Sequence, residues 1–487
     1  MSDQLQLQSG VPQMTHETLG LLSHETSMSI ADKYRALYSV DQETQRVLSH
    51  SKRFLERWIG DVDFKNSVID GKLSLKDAQD SCGCDIDVHT LLPVFHPDYR
   101  LFRSAATSHD WPLTYLWDQH IANHLKIRDS IASYGGSQGV TPEFDLWRMR
   151  NMGRAAFQLD AAAAGITHPP VAFELSSGCS VGCWFCGVSA KKFAGDATLA
   201  DGGDVEWRKT LEAVKAIVGL GMQCGFCYWA TDPLDNPEYV GFLEIFEDVV
   251  GVIPQTTTAI PLRNIDLTKS VLAEWDKRKS TPNRFSVMTK RQLLEIHQRF
   301  TPEELFGVEI VLQMATEGAI TKFAAGRNVQ GKAKKEASLE GTIACVTGFL
   351  INVVERTVKL ISPTMPSDKW PDGYIIYAER DYRDAVDLAD VLKDITANCM
   401  QTNLVGSKAV QISDGGHYDP DVRSDAVRFR RIEISNAFIE RVGADLSVGT
   451  NTPLSIAKKC IGDGMDPIQV IGEMEKLWSE GVITQAL

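Results

Sequence analysis

No run of about 18 apolar residues, the length a helix needs to cross a bilayer, occurs in this chain of 487 residues. The sequence therefore predicts no membrane helix. The first residues, MSDQLQLQSGVPQMTHETLG, lack both a basic start and an apolar stretch, which argues against a secretory signal and for the cytoplasm. Basic excess is missing too. Lys and Arg number 50 against 64 Asp and Glu, a net charge of −14, so a nucleic-acid partner is not expected. Cysteine is sparse. Ten residues are too few for a disulfide scaffold at this length, and in a reducing compartment clustered thiols more often bind metal or do chemistry. Internal repeats and low-complexity stretches are absent.

What is present is the composition of a globular protein, 43% hydrophobic and 23% charged. The chain is too long for one ordinary core, so two or three domains are expected. Residues 1–165 read as helical and irregular. In RFLERWIGDVDFKNSVIDG, Phe54, Leu55, Trp58, Ile59, Phe64 and Val68 recur near helical spacing. Residues 1–30 read as loosely ordered, and GITHPP (165–170) reads as a linker, because its prolines stop a helix. From Val171 short apolar strands alternate with amphipathic helices: VAFELSS, CGFCYWATD, QTTTAIPL, RFSVMT and VEIVLQMAT are the strands. This alternation, from 171 to about 316, predicts an α/β fold with parallel βαβ units, as a barrel or an open sheet, within a domain expected over 166–400; after Thr316 it breaks. TIACVTGFLINVVERTVKLIS reads as two paired strands, and RDAVDLADVLKDITANCM as a helix. The tail, 401–487, carries a short strand candidate, VRFRRIEIS, then three helices and VITQAL.

The cysteines are not scattered evenly. SSGCSVGCWFCG places Cys179, Cys183 and Cys186 in a C-x3-C-x2-C pattern directly after the first strand. Thiolates hold iron–sulfur clusters, normally one per iron. Three ligands on a four-iron cluster leave one iron open, and open metal sites are where substrates bind. Gly178, Gly182 and Gly187 let the backbone curl around such a group, and Trp184 and Phe185 can shield it. A structural zinc site would want a fourth Cys or His nearby, and the next histidine, His297, is distant.

This motif resembles that of the radical S-adenosylmethionine superfamily. The resemblance implies a partial (β/α)6 barrel, one [4Fe-4S] cluster on Cys179, Cys183 and Cys186, and S-adenosylmethionine bound at the open iron beside Phe185. One electron then splits the cosubstrate into methionine and a 5′-deoxyadenosyl radical. The family's second landmark, a G-G-E-P-like stretch, falls on Ala230, Thr231, Asp232 and Pro233. Both glycines are replaced and Asp stands for Glu, but Asp232 keeps a carboxylate that can accept from an ammonium. Thr257, Ser286 and Gln313, at later strand ends, are the further candidate contacts.

Taken with YWATDPLDNPEY and ACVTGFLINVVERTVKLISP, the motif looks like that of the peptide epimerases acting on proteusin-type precursors. The resemblance covers about 170–400 well and the tail loosely. It implies conversion of L- to D-residues in a ribosomally made precursor. The radical takes a Cα hydrogen, and a cysteine thiol returns one to the other face. Cys345 is the expected donor and Cys399 the second choice. Other radical modifications, C-methylation or carbon crosslinking, remain the alternative; a scaffold protein with a lapsed radical fold is disfavoured by the intact cysteine set. The tail resembles a winged-helix module that binds a leader peptide as an added strand, with Arg428, Arg430 and Arg431 suited to acidic leader residues. A flavodoxin or ferredoxin would feed electrons. Cys82 and Cys84, and Cys224 and Cys227, could hold a second metal. However, residues i and i+3 of a strand face opposite ways, which is poor for chelation.

Overall fold

The computed structural model describes residues 28–314, 316, 322–330, 340–413 and 436–485. VRFRRIEIS, with Arg428, Arg430 and Arg431, lies outside the described residues, as do 1–27. The first part is helical: α1 (Ile30–Tyr38), α2 (Gln42–Gly60), α3 (Val62–Ile69), α4 (Leu75–Ser81), α5 (Pro112–Tyr134) and α6 (Pro142–Leu159). Ser29, Asp41, Asp61 and Ser74 cap the first four, each accepting a backbone N–H in the first turn, an interaction worth about 1 kcal/mol. Phe54, Trp58, Phe64 and Phe95 form a local core. Ile59, expected on the same stripe, is 40% exposed. No strand occurs among the described residues before Val171.

The middle of the chain is mixed α/β. Its strands are β1 (Val171–Glu174), β2 (Ser176–Ser177), β3 (Gly195–Asp196), β4 (Thr257–Thr258), β5 (Asn283–Val287), β6 (Val308–Leu312), β7 (Gly348–Asn352), β8 (Thr357–Pro363) and β9 (Tyr374–Asp381). Between them run α7 (Gly203–Val218), α8 (Tyr239–Val250), α9 (Ile265–Arg278) and α10 (Lys290–Arg299), with α11 (Ala385–Cys399) after β9. β7 pairs parallel with β1, and β4, β5 and β6 pair parallel in that order. Single parallel bridges at Phe226, to Ala172 and to Gln255, join the two groups. The expected second strand, CGFCYWATD, is thus reduced to one bridge on each side. β6 and β7 do not pair among the described residues, so the row is not closed. β8 and β9 extend it antiparallel beyond β7.

The period-2 alternation of strands divides the row into two faces. Val171, Phe173, Phe349 and Ile351 join Leu211, Phe242, Phe246 and Leu388 in the core under the helices. Phe285, Val287, Val308 and Leu312 do the same against α10. Ala172, Phe226 and Leu350 turn to the opposite, inner face, where Ala344 and Val346 pack on them. The stretch TIAC, expected as strand, is irregular here. Residues 343–347 run from Ile343, beside Gly187, to Thr347, whose N–H donates to the Pro169 carbonyl over 3.0 Å. This inner run replaces a sheet partner. The expected linker 165–170 is also not a loose connection: His168, Pro169 and Pro170 are buried, and His168 Nδ1 lies 2.7 Å from Thr347 Oγ1.

The tail contains β10 (Val410–Ile412), α12 (Asn436–Val448), α13 (Pro453–Gly462), α14 (Pro467–Ser479) and β11 (Ile483–Gln485). β10 and β11 pair antiparallel, over a core of Phe438, Val442, Ile456, Cys460, Val470, Leu477 and Trp478. It is fixed to α6 by Arg150, which donates to the carbonyls of Trp478 (3.1 Å) and Ile483 (3.0 Å). The Arg150 guanidinium lies 3.6 Å from the Trp478 ring centroid. Gly153 allows the close approach, since a Cβ there would lie 2.5 Å from the Glu480 carbonyl oxygen.

Candidate functional site

β1 ends at Glu174, and the cysteine loop leaves from its C-terminal end. β2 and β3 pair antiparallel and pinch the base of the excursion. Within it, the Cys179 N–H donates to the Lys191 carbonyl (2.9 Å) and the Ala190 N–H to Cys186 Sγ (3.3 Å). Gly178 adopts φ +75° against the carbonyls of Lys191 and Lys192, where a side chain would collide with backbone. The loop is held from outside by Asp235, which accepts from the Ser180 N–H (2.9 Å), the Ser180 hydroxyl and Arg263 (2.7 Å).

All ten cysteines are free, and the three of the loop are each half-buried. Burial pushes the Cys179 thiol up to about 11; Asp232 and Asp235 add to this, while the backbone N–H groups of Val181 and Gly182 oppose it. Cys183 is raised by burial first and then by neighbouring Cys186, with its own backbone N–H and Arg327 pulling the other way. Among the described residues no three His, Cys, Asp or Glu side chains converge as a ready metal-ligand group, these three included. The chemistry of the donors nevertheless fits a cationic cluster. Three uncommitted thiols share one loop, and backbone N–H groups are aimed at the sulfurs, the environment that favours thiolate ligands.

Asp232 sits beside this loop and is only 4% exposed. Its Oδ1 accepts from Leu234 N–H (3.1 Å) and Thr258 Oγ1 (2.8 Å), and its Oδ2 from Ala259 N–H (2.8 Å). A carboxylate offers about four lone-pair positions, so three are already used within the fold and one is left. Burial raises its pKa to about 6, against those hydrogen bonds. Thr231 is half-buried, and its hydroxyl oxygen is buried without a hydrogen-bond partner. Phe185 packs edge-on to Trp184 at 5.2 Å, with Lys322 Nζ 5.0 Å from its ring centroid.

Thr257 pairs in register with Arg284, and Arg284 with Glu309, so these three share the inner face. Ser286 and Gln313 follow on the same side by alternation. Gln313 is tied at its backbone to Val287 (2.8 Å) and Lys322 (2.6 Å). Cys345 joins the inner face with Tyr228 and Trp229. Burial pushes its thiol up to about 12, opposed by Arg284. Cys399 lies apart: it ends α11 in the outer, helix-covered layer. Cys224 and Cys227 fall in separate clusters, and Cys84 donates to the His50 carbonyl at 3.4 Å in the N-terminal core.

Two inner-face features escaped sequence reasoning. Glu174 is buried at the end of β1, accepting from Ala230 N–H (2.8 Å) and Asn352 Nδ2 (3.0 Å). Arg284 and Glu309 form a 2.5 Å ion pair, completed by His124 Nε2 at 2.8 Å from Glu309. The signal was there, a charged residue in each apolar strand (VAFE, NRFSV, VEIVL), but pairing Arg284 with Glu309 needs the register.

A mixed α/β protein, with a three-cysteine loop at the C-terminal end of its first strand, is the class that fold and site define. The chain is similar to the uncharacterized protein y4wI of Sinorhizobium fredii, 35% identical over 457 residues that span 91% of this chain and 89% of that protein. It belongs to the same family as that protein. No protein-family model and no solved structure matches it.

Proposed function

We propose that the protein is a radical S-adenosylmethionine enzyme that epimerises residues of a ribosomally made precursor peptide, on a partial (β/α)6 barrel. The observation that carries this reading is the pairing of two thiol sites. Cys179, Cys183 and Cys186 lie on the loop after β1 in a row of parallel strands, and Cys345 lies on the inner face of that row. In parallel barrels, reactive groups gather at the C-terminal strand ends, where this loop begins.

Cys179, Cys183 and Cys186 would hold a four-iron cluster. When bound together with S-adenosylmethionine, such a cluster supplies a 5′-deoxyadenosyl radical able to take a Cα hydrogen. Asp232 keeps one lone-pair position for an ammonium group. Cys345, pushed up to about 12 by burial, holds its hydrogen as S–H at neutral pH, the form a hydrogen donor needs. Ile343, two residues before it, packs on Gly187 of the loop, so donor segment and cysteine loop touch. The tail, three helices beside a two-stranded sheet, supports leader binding by strand addition. A flavodoxin or ferredoxin is the proposed reductant. No helix among the described residues is long and apolar enough to cross a membrane.

The test is an anaerobic incubation of the reconstituted protein with S-adenosylmethionine, reductant and a candidate precursor in D2O. The thiol exchanges with solvent, so the reading expects deuterium in place of hydrogen, a gain of about one mass unit per altered residue, with D-residues on hydrolysis. A methyl gain or a loss of two hydrogens would replace epimerisation by methylation or crosslinking.

A further inference from the structure

Resting on the reading of the 179–186 loop as a cluster cradle, we infer that Arg327 is a positioning residue that braces this loop from the segment following β6. Its Nη1 donates to the Cys183 carbonyl (2.8 Å), its Nη2 to the Ala190 carbonyl, and its backbone N–H to the Cys186 carbonyl (2.9 Å). All three acceptors belong to the turn that presents Cys183 and Cys186. A guanidinium offers its donors in a rigid fork, so it fixes the separation of the two carbonyls it reaches. Ala190 is gripped at both ends: its C=O meets Arg327 while its N–H meets Cys186 Sγ.

The neighbours of Arg327 act in the same direction. Gly326 adopts φ +55° with its Cα against the loop; a Cβ there would lie 2.6 Å from the Gly187 carbonyl carbon and 2.7 Å from the Cys186 oxygen. Its N–H is anchored to the Pro371 carbonyl at 2.7 Å. Lys322 donates to the Gln313 carbonyl at 2.6 Å and sets its charge over both Trp184 (5.3 Å) and Phe185 (5.0 Å). Residues 322–327 therefore grip the Cys183–Gly187 turn through its carbonyls, its backbone and its aromatic rings. With Arg327 removed, the Ala190 carbonyl loses its guanidinium donor, the Cys183 carbonyl keeps only the Cys186 N–H at 3.3 Å, and the turn is freer to re-orient its sulfurs.

The full chain, reduced and stripped of metal by chelation, is alkylated with iodoacetamide, and each cysteine is followed by mass spectrometry. In Arg327→Met, Cys183 and Cys186 are expected to react about tenfold faster, as for a local opening released by losing a charge-assisted hydrogen bond. Cys84 and Cys227, buried elsewhere, keep their rates. Arg327→Lys, with a single point charge, restores part of the protection. Unchanged rates at Cys183 and Cys186 overturn the inference. Should every cysteine speed up in Arg327→Met, Gly326→Ala makes the same test from the same side of the loop, and unchanged loop thiols there overturn it. Iron and sulfide uptake on anaerobic reconstitution is read separately. Faster alkylation in the variant, with no uptake by the natural chain, keeps the brace and removes the cluster. Uptake by both, with equal alkylation, keeps the cluster and removes the brace.

Discussion

At the scale of single residues, three side chains carry testable chemistry. Cys345→Ala removes a half-buried thiol with no hydrogen-bonded partner beyond its own backbone, so its stability cost is small, on the order of 1 kcal/mol for a small truncation. On the proposed reading its functional cost is expected to be complete: S-adenosylmethionine would still be cleaved, and deuterium would no longer enter the peptide. Cys399→Ala, in the outer layer, leaves both readouts unchanged, and the comparison separates the two thiols. Asp232 gives a pH signature. Its folded pKa is raised by burial from 3.8 to about 6, so the folded state favours its proton. The stability it contributes is fully present below the ordinary Asp value and is lost as pH rises through about 6. Asp232→Asn cannot titrate. The Tm difference between natural chain and variant is therefore expected to shift toward the natural chain as pH falls from about 6 to about 4. A difference that stays flat over that window would show that Asp232 is ionised at ordinary strength.

Between elements, the Arg284–Glu309 pair links β5 to β6, and His124 on α5 joins them to the N-terminal helices. Burial alone would raise Glu309; Arg284 and His124 outweigh it and hold the carboxyl down to about 2. Each side chain keeps about a third of its surface, 35% for Arg284 and 31% for Glu309. Removing one partner by Glu309→Gln is thus expected to cost on the order of 2 kcal/mol, the scale of a charge-assisted hydrogen bond rather than of a fully buried pair. Denaturant melts of the two chains check this. The pair also shows what the sequence can and cannot reveal about this fold. The alternation of strands and helices after Val171 is local periodicity, and β5, β6 and their helices were legible. CGFCYWATD and TIAC carry equally good strand residues, yet one is reduced to a single residue, Phe226, bridged on each side, and the other is an inner-face segment, because partners decide strands and partners are distant in sequence. β9, YIIYAERD, went unread; its outer half is exposed and its pairing with β8 is a tertiary fact. That Cys179, Cys183 and Cys186 share one loop after β1 was legible because they lie within one short motif. Glu174 and Arg327 were not, since each acts on a segment far along the chain.

For the whole molecule, the question is where the chain can be cut. Composition and the prolines of GITHPP place a boundary near residue 165, but the cores do not stop there. Phe144 and Trp147 of α6 are 0% and 1% exposed and lie in one cluster with Val171, Phe173 and Phe349. Arg148 donates from α6 to the His168 carbonyl, and Arg154 to Ser362 Oγ (2.8 Å) and the Pro363 carbonyl (2.7 Å) of β8. α6 also carries Arg150, which holds the tail. One helix therefore touches the first strand, the antiparallel extension and the C-terminal helices. Two aromatic side chains of about 200 Å² each, at about 25 cal/mol per Å², represent roughly 10 kcal/mol of burial as an upper figure. That equals the net stability of a typical domain, about 5–15 kcal/mol. A chain starting at residue 166 is accordingly expected to be insoluble or to lack near-UV circular dichroism. A chain starting at residue 142 keeps α6 and loses the helices before it, with the contacts of His124 to Glu309, Arg53 to the Phe300 carbonyl, Glu56 to His297 and Asp63 to Lys290. The expected order is full chain, then 142–487, then 166–487, in soluble yield and in cooperativity of melting. A 166–487 fragment that melts as sharply as the full chain would mean that α6 is an accessory and that the tail is held by something other than Arg150.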